Sequence, residues 1–111
     1  MVHRRAAHLA LLLGLLAAPV LAQNRPTPIA ADAKRGVIRH VEAMAVTVDG
    51  KAMQLAAGAQ VRNQQNLIIV PMSIPRNGAL ADYTLNAQGE LFRVWLLTPA
   101  EIAQRKPKGG G

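Results

Sequence analysis

A small all-β domain is the fold class this sequence predicts: a twisted barrel or sandwich of about six short strands, closed by a short C-terminal helix. Three observations predict it. Short apolar segments separated by turn signals fill residues 36–97, an Asp49-Gly50 dipeptide sits between two alternating segments, and Thr98-Pro99-Ala100-Glu101 forms a helix-start signal near the end. The five-stranded OB-type barrel is one option for this strand count. A core of this size supplies modest stability, so closure of the sheet or a dimer would help it.

Ahead of the domain, residues 1–22 (MVHRRAAHLALLLGLLAAPVLA) read as a helical signal peptide. Arg4 and Arg5 supply the positive n-region, Leu9 to Leu16 form an apolar h-region, and Pro19 precedes the small-residue site Val20-Leu21-Ala22. Cleavage is expected before Gln23. The alternative is an uncleaved anchor, but residues 6–22 span 17 positions and include Pro19, where a membrane-crossing helix needs about 20. No integral span is therefore expected after cleavage, and the protein should be periplasmic or secreted. The absence of cysteine excludes disulfides, thiolate metal sites and lipidation at a mature N-terminal Cys.

Residues 23–35 (QNRPTPIAADAKR) combine two prolines with small residues and no periodicity, which predicts a flexible leader. The β domain is expected over 36–105, and residues 106–111 (KPKGGG) as a disordered tail. Residues 36–42 (GVIRHVE) make the first strand. Its core face is either Ile38, His40 and Glu42 or, with a bulge near Glu42-Ala43, Val37, Arg39 and Val41.

Asp49-Gly50 suits a two-residue type I′ turn, since both central positions need positive φ. That turn pairs Val48 with Lys51, Thr47 with Ala52, Val46 with Met53, Ala45 with Gln54 and Met44 with Leu55. An apolar face of Met44, Val46, Val48, Met53 and Leu55 follows, opposite a smaller and more polar one. Gly58 is expected to turn the chain into residues 59–62. Residues 66–71 (NLIIVP) are continuously apolar, as for a strand covered on both faces. Pro71 and Pro75 bracket an irregular piece, and Arg76-Asn77-Gly78 is a further turn.

The last hairpin spans residues 79–97. A four-residue loop at Asn86-Ala87-Gln88-Gly89 would oppose Leu85 to Glu90, Tyr83 to Phe92 and Asp82 to Arg93. The core face would then be Ala81, Tyr83, Phe92, Val94 and Leu96, with an exposed Asp82–Arg93 pair marking the register. Finally, the Thr98–Glu101 capping box with Pro99 at the first helical position predicts a short helix over 99–105.

The pattern Gly36-Val37-Ile38, Val46-Thr47-Val48-Asp49-Gly50, Gly58-Ala59-Gln60-Val61-Arg62 and Val94-Trp95-Leu96-Leu97-Thr98-Pro99 resembles small exported β-domain proteins of proteobacteria that have no assigned function, the little periplasmic barrels. The resemblance covers about residues 36–104. It implies a fold and a compartment, and no site residue.

Charge sharpens the exclusions. The whole chain carries a formal +7, but residues 36–99 hold five basic and four acidic side chains and are nearly neutral. The high pI belongs to the ends, so it does not argue for nucleic acid, which also needs stacking aromatics interleaved with basic residues. The basic ends would give only weak, salt-sensitive attraction to anionic envelope polymers. A catalytic set would have to be built from His40 and Ser73 with Glu42 or Asp82 behind them, and Ser73 lies in a proline-bracketed loop without a glycine elbow. No enzyme and no cofactor is expected. Copper binding through His40, Met44 and Met53, with Met72 further on, is the alternative function, because thioether and imidazole suit Cu(I); methionine on an apolar hairpin face is ordinarily core filling. The remaining candidate is a partner surface of Leu91, Trp95 and Leu97, an apolar face with an aromatic anchor unless the helix and the residue 66–71 strand cover it. The sequence therefore points to an exported, non-enzymatic accessory or binding module of the cell envelope, with an envelope protein or a second copy as partner.

Overall fold

The structure is a computed structural model that describes residues 25–104; the expected signal peptide and the 106–111 tail lie outside the described residues. Six strands and one helix follow in order: β1 (Lys34–Glu42), β2 (Ala45–Val48), β3 (Lys51–Arg62), β4 (Ile68–Ile69), β5 (Ala79–Leu85), β6 (Leu91–Leu96) and α1 (Pro99–Ala103). A 3-10 turn at Pro71–Ser73 lies between β4 and β5.

The sheet closes. Its order is β2-β1-β5-β6-β3-β4, and a further β2–β3 pairing joins the ring. Every pair is antiparallel except β3–β6, which is parallel. A five-stranded ring of β1, β2, β3, β6 and β5 with this one parallel seam has the connectivity of an OB-type barrel. Closure removes the sheet edges that a domain this small could not otherwise protect. The interior is filled by Ile38, Val46, Val48, Leu55, Val61, Ile74, Ala81, Leu91, Val94 and Leu96.

The first hairpin follows its turn chemistry. Asp49 (φ 52°) and Gly50 (φ 83°) both take positive φ, and β2 meets β3 as Val48↔Lys51, Thr47↔Ala52, Val46↔Met53 and Ala45↔Gln54. The Met44 carbonyl accepts from the Leu55 N–H, 2.9 Å, which continues that register. Val46, Val48 and Leu55 are buried, whereas Met44 lies at the exposed end of the face. The turn also docks on β1: the Val37 N–H donates to Asp49 Oδ1, 2.8 Å. Gly36 makes that approach feasible, since a Cβ there would lie 2.8 Å from Asp49 Oδ2. In β1 the even-numbered face wins, with Ile38 and His40 buried. A shift in register between His40 and Glu42 then releases Glu42 to solvent.

Four expectations need correcting. Gly58 does not end a strand: β3 runs through it at φ 82°, with an irregularity between Leu55 and Gln60 that lets one long strand bend around the barrel. The 66–71 run is not a covered strand. Only Ile68 and Ile69 pair, with the end of β3, and Leu67, Ile68 and Val70 are 62%, 55% and 59% exposed. The burial instead comes from Ile74, just after the 3-10 turn, at 1% exposure. The leader is not free from Arg25 onward, because that side chain is buried against the domain as described below, and β1 begins at Lys34.

The fourth concerns the β5–β6 register, which is Ala81↔Leu96, Asp82↔Trp95, Tyr83↔Val94 and Thr84↔Arg93, then Leu85↔Leu91. The loop is one residue shorter than expected: the Asn86 N–H donates to the Glu90 carbonyl, 2.8 Å, and Gly89 takes φ 80°. Asn86 Oδ1 accepts from the Gln88 and Glu90 N–H groups, both 2.9 Å, and so holds the tight form. Phe92 is the extra residue between Arg93 and Leu91, a bulge that turns its ring outward. Leu91 takes the core position that Phe92 was expected to fill.

The capping box forms as expected, with the Thr98 hydroxyl accepting from the Glu101 N–H and the Glu101 carboxylate accepting from the Thr98 N–H. The helix ends two residues early, at Ala103. No helix among the described residues is long and apolar enough to cross a membrane.

Candidate functional site

The outer face of the β3–β6 seam carries the site. Val61 and Val94 point inward and are buried, so their neighbours Gln60 and Arg62 on β3, and Arg93 and Trp95 on β6, point outward. The parallel register sets Gln60 opposite Arg93 and Arg62 opposite Trp95. With Asn66 and Thr27 these side chains line a cleft of about 140 Å³.

Each arginine is held by a neutral acceptor. Arg62 Nη1 donates to the Asn66 carbonyl at 2.8 Å. Arg93 Nη1 donates to the Phe92 carbonyl at 3.2 Å, and its guanidinium sits 4.0 Å from the centre of the Phe92 ring. Such contacts fix direction and leave the positive charge uncompensated. Among the described residues, no carboxylate lies within ion-pairing distance of either arginine. The expected Asp82–Arg93 pair does not form because the register is shifted. Asp82 instead takes Arg35 on its other side, at 2.7 Å (Nε to Oδ1), with both side chains largely buried. A single cross-strand row therefore runs Arg35, Asp82, Trp95, Arg62, Ile68, in which only the first two charges cancel.

Arg25 braces one wall. Its side chain is 3% exposed and grips the Glu101 carboxylate at 2.7 and 2.9 Å. It also donates to the Asn63 and Leu96 carbonyls and to Asn66 Oδ1, between 2.9 and 3.1 Å. One guanidinium thus ties α1, the end of β6 and the β3–β4 loop together, and it holds Asn66 at a φ of 65°. Burial alone would raise the Glu101 carboxyl. The Arg25 hydrogen bond and charge and the Thr98 N–H outweigh it and hold the group below its ordinary value.

The residues singled out in the sequence fall elsewhere or apart. Leu91 and Leu97 are buried at 0% and 3%, so they offer no surface, and of the expected partner face only Trp95 reaches the cleft. That apolar patch does not exist as a patch. His40 is buried at the β1–β2 bulge with Nε2 3.1 Å from the Ala43 carbonyl. In the row His40–Val46–Met53, Val46 stands between the two candidate copper ligands, and Met44 lies beyond at the exposed turn. No group of three or more His, Cys, Asp or Glu side chains suited to a metal ion occurs among the described residues. His40 and Ser73 share no hydrogen bond. What the sequence reading missed is the pairing of β3 with β6: Gln60 and Arg93 lie far apart in the chain, and only the OB-type closure puts them side by side.

No protein-family model, no curated protein and no solved structure matches this chain.

Proposed function

We propose that this protein is an exported, non-enzymatic binding module of the bacterial cell envelope, periplasmic or secreted, and that the β3–β6 cleft is its ligand site. The observation that carries the reading is the pair of half-buried arginines beside Trp95 with no carboxylate partner among the described residues. Two like charges brought close and partly out of water oppose folding, and a negatively charged ligand removes that penalty. The cleft supplies guanidinium, amide, indole and hydroxyl groups. None of these is a general base near neutral pH, and the one hydroxyl, on Thr27, has no base beside it, so the lining suits recognition rather than catalysis. Export is supported by the n-region, apolar run and small-residue site of residues 1–22.

The test expresses the full chain in a bacterial host and recovers it from the periplasm, where a mass beginning at Gln23 reports cleavage. The recovered protein is mixed with an insoluble envelope fraction and sedimented, beside the Arg62→Gln and Arg93→Gln variants. Wild type is expected in the pellet and both variants largely in the supernatant. Equal sedimentation of all three overturns the cleft as the site. Stoichiometric Cu(I) uptake that is lost on His40→Ala would move function to the other end of the barrel.

A further inference from the structure

The chemistry of the cleft narrows the ligand, on the premise that the cleft is the binding site. We infer that it accepts one anionic sugar, a pyranose ring bearing a carboxylate or a phosphate. The two arginines demand negative charge, and their neutral tethers to Asn66 and Phe92 leave N–H donors on each guanidinium for an anion. Because those tethers exist before binding, little side-chain freedom remains to be lost on binding.

The remaining groups select a hydroxylated ring over other anions. Trp95, half-buried on the same face, gives a flat surface against which the C–H face of a ring can lie. Gln60, Thr27 and the Asn66 Nδ2 make no side-chain hydrogen bond among the described residues. An apolar aromatic acid would leave those groups unpaired on desolvation, whereas sugar hydroxyls supply both donors and acceptors for them. A bare phosphate or carboxylate has no ring face to lay against Trp95.

The cleft offers little to a strand of nucleic acid. About 140 Å³ is the liquid volume of roughly five waters, so the cleft takes part of one ring with its charged substituent and the rest of the ring lies at the open mouth. Single-stranded nucleic acid needs a succession of stacking platforms along a basic groove. Here the one other aromatic beside the cleft, Phe92, is already covered by Arg93.

The experiment uses the protein recovered from the periplasm after expression of the full chain. Trp95 is its only tryptophan, so fluorescence reports the cleft directly. Glucuronate, glucose 6-phosphate, glucose, inorganic phosphate and AMP are titrated in turn, with calorimetry alongside to catch binding that fluorescence does not see. At least one of the two charged sugars is expected to bind saturably, and which binds better identifies the anion. Glucose and inorganic phosphate should each be about ten-fold weaker or more, since each lacks one half of the recognition. Arg62→Gln and Arg93→Gln should each weaken the preferred sugar by about ten-fold while the melting temperature of the free protein is held or raised, because each relieves the like-charge pair. Added salt should weaken binding as well.

Phosphate binding as tightly as glucose 6-phosphate overturns the ring, and glucose binding as tightly as the charged sugars overturns the charge. AMP binding tightest replaces the sugar with a base. If no probe binds while envelope sedimentation still requires Arg62 and Arg93, the sugar class is wrong and the binding-module reading stands. If neither requires them, both fall.

Discussion

The two hairpins of this barrel are built by different physics, and the contrast explains where the candidate cleft lies. The β2–β3 hairpin closes through Asp49-Gly50, a turn with a single register in which both residues carry positive φ. The β5–β6 hairpin closes through a loop held by the Asn86 side chain and then slips by one residue at Phe92. The first is regular and its outer face is bland. The second is irregular, and that irregularity frees Arg93 from Asp82, turns Phe92 outward beneath it, and leaves Trp95 opposite Arg62. In this molecule the departure from ideal pairing is where the candidate chemistry gathers.

The largest expected effect tests which register the second hairpin adopts. Leu91 is fully buried in the core cluster, so Leu91→Ala should cost about 2–5 kcal/mol. Phe92→Ala, whose ring is 37% exposed, should cost well under half as much. The register expected from the sequence, with Phe92 in the core and Leu91 on the surface, reverses the order. Chemical denaturation of the two variants decides between them, with Leu91→Val as the milder change should Leu91→Ala fail to fold.

Next in size is the brace that holds the second region against the rest. Arg25→Met removes five hydrogen bonds: the Glu101 carboxylate loses its charged partner and keeps only the Thr98 N–H, the Asn63 and Leu96 carbonyls each lose one donor, and Asn66 Oδ1 loses its donor. A cost of about 2–4 kcal/mol follows for a pair whose acid still touches water. The effect carries a pH signature. Glu101 is held below its ordinary value in the folded state, so its contribution is fully present above the unfolded carboxylate pKa and is lost as pH falls through the folded one. Wild type and Arg25→Met should therefore differ most near neutral pH and converge in acid, as read from denaturation midpoints across that range.

How far the sequence reveals this molecule divides along the same line. The Asp49-Gly50 register, the closing helix with its capping box and the all-β class are local, because neighbouring residues and turn stereochemistry decide them. The β5–β6 register needed the Asn86 side chain to be recognised as a loop closure, and an alternating pattern tolerates a slip wherever a bulge restores parity. Residues 66–71 misled because an apolar run looks the same whether it is buried or lies along an edge outside a closed ring. The cleft was hardest to read. Arg62 and Arg93 look like ordinary solvated charges until a parallel pairing between distant strands sets them on one face.

In the regular hairpin, the device to break is the close approach of the turn to β1. A Cβ at Gly36 would sit 2.8 Å from Asp49 Oδ2 and 3.0 Å from Val48 Cγ1. Gly36→Ala should therefore cost about 1–3 kcal/mol through displacement of the turn, offset slightly by the lower entropy of the unfolded chain. The Asp49 carboxylate would lose its bond to the Val37 N–H, and amide exchange at Val37 should accelerate in step with the loss of stability. A protein that tolerates Gly36→Ala without either change would show that the turn alone, and not its docking on β1, sets the first register.

The smallest effect bears most directly on the cleft. Phe92→Leu keeps an apolar side chain at the bulge and removes only the ring that lies under Arg93. At this exposure the cation–π contact contributes about 0.5–1 kcal/mol, so the thermal midpoint should fall by only a few degrees. The consequence belongs instead to position. Without the ring beneath it, the guanidinium keeps only its single hydrogen bond to the Phe92 carbonyl, and its orientation toward the cleft is no longer fixed. Binding of whatever ligand the cleft takes should weaken several-fold with the fold intact, whereas an arginine that is merely solvated would leave binding unchanged on Phe92→Leu. Phe92→Tyr, which retains the ring, should restore the affinity, and that rescue separates an oriented binding arginine from a surface charge that happens to lie near a ring.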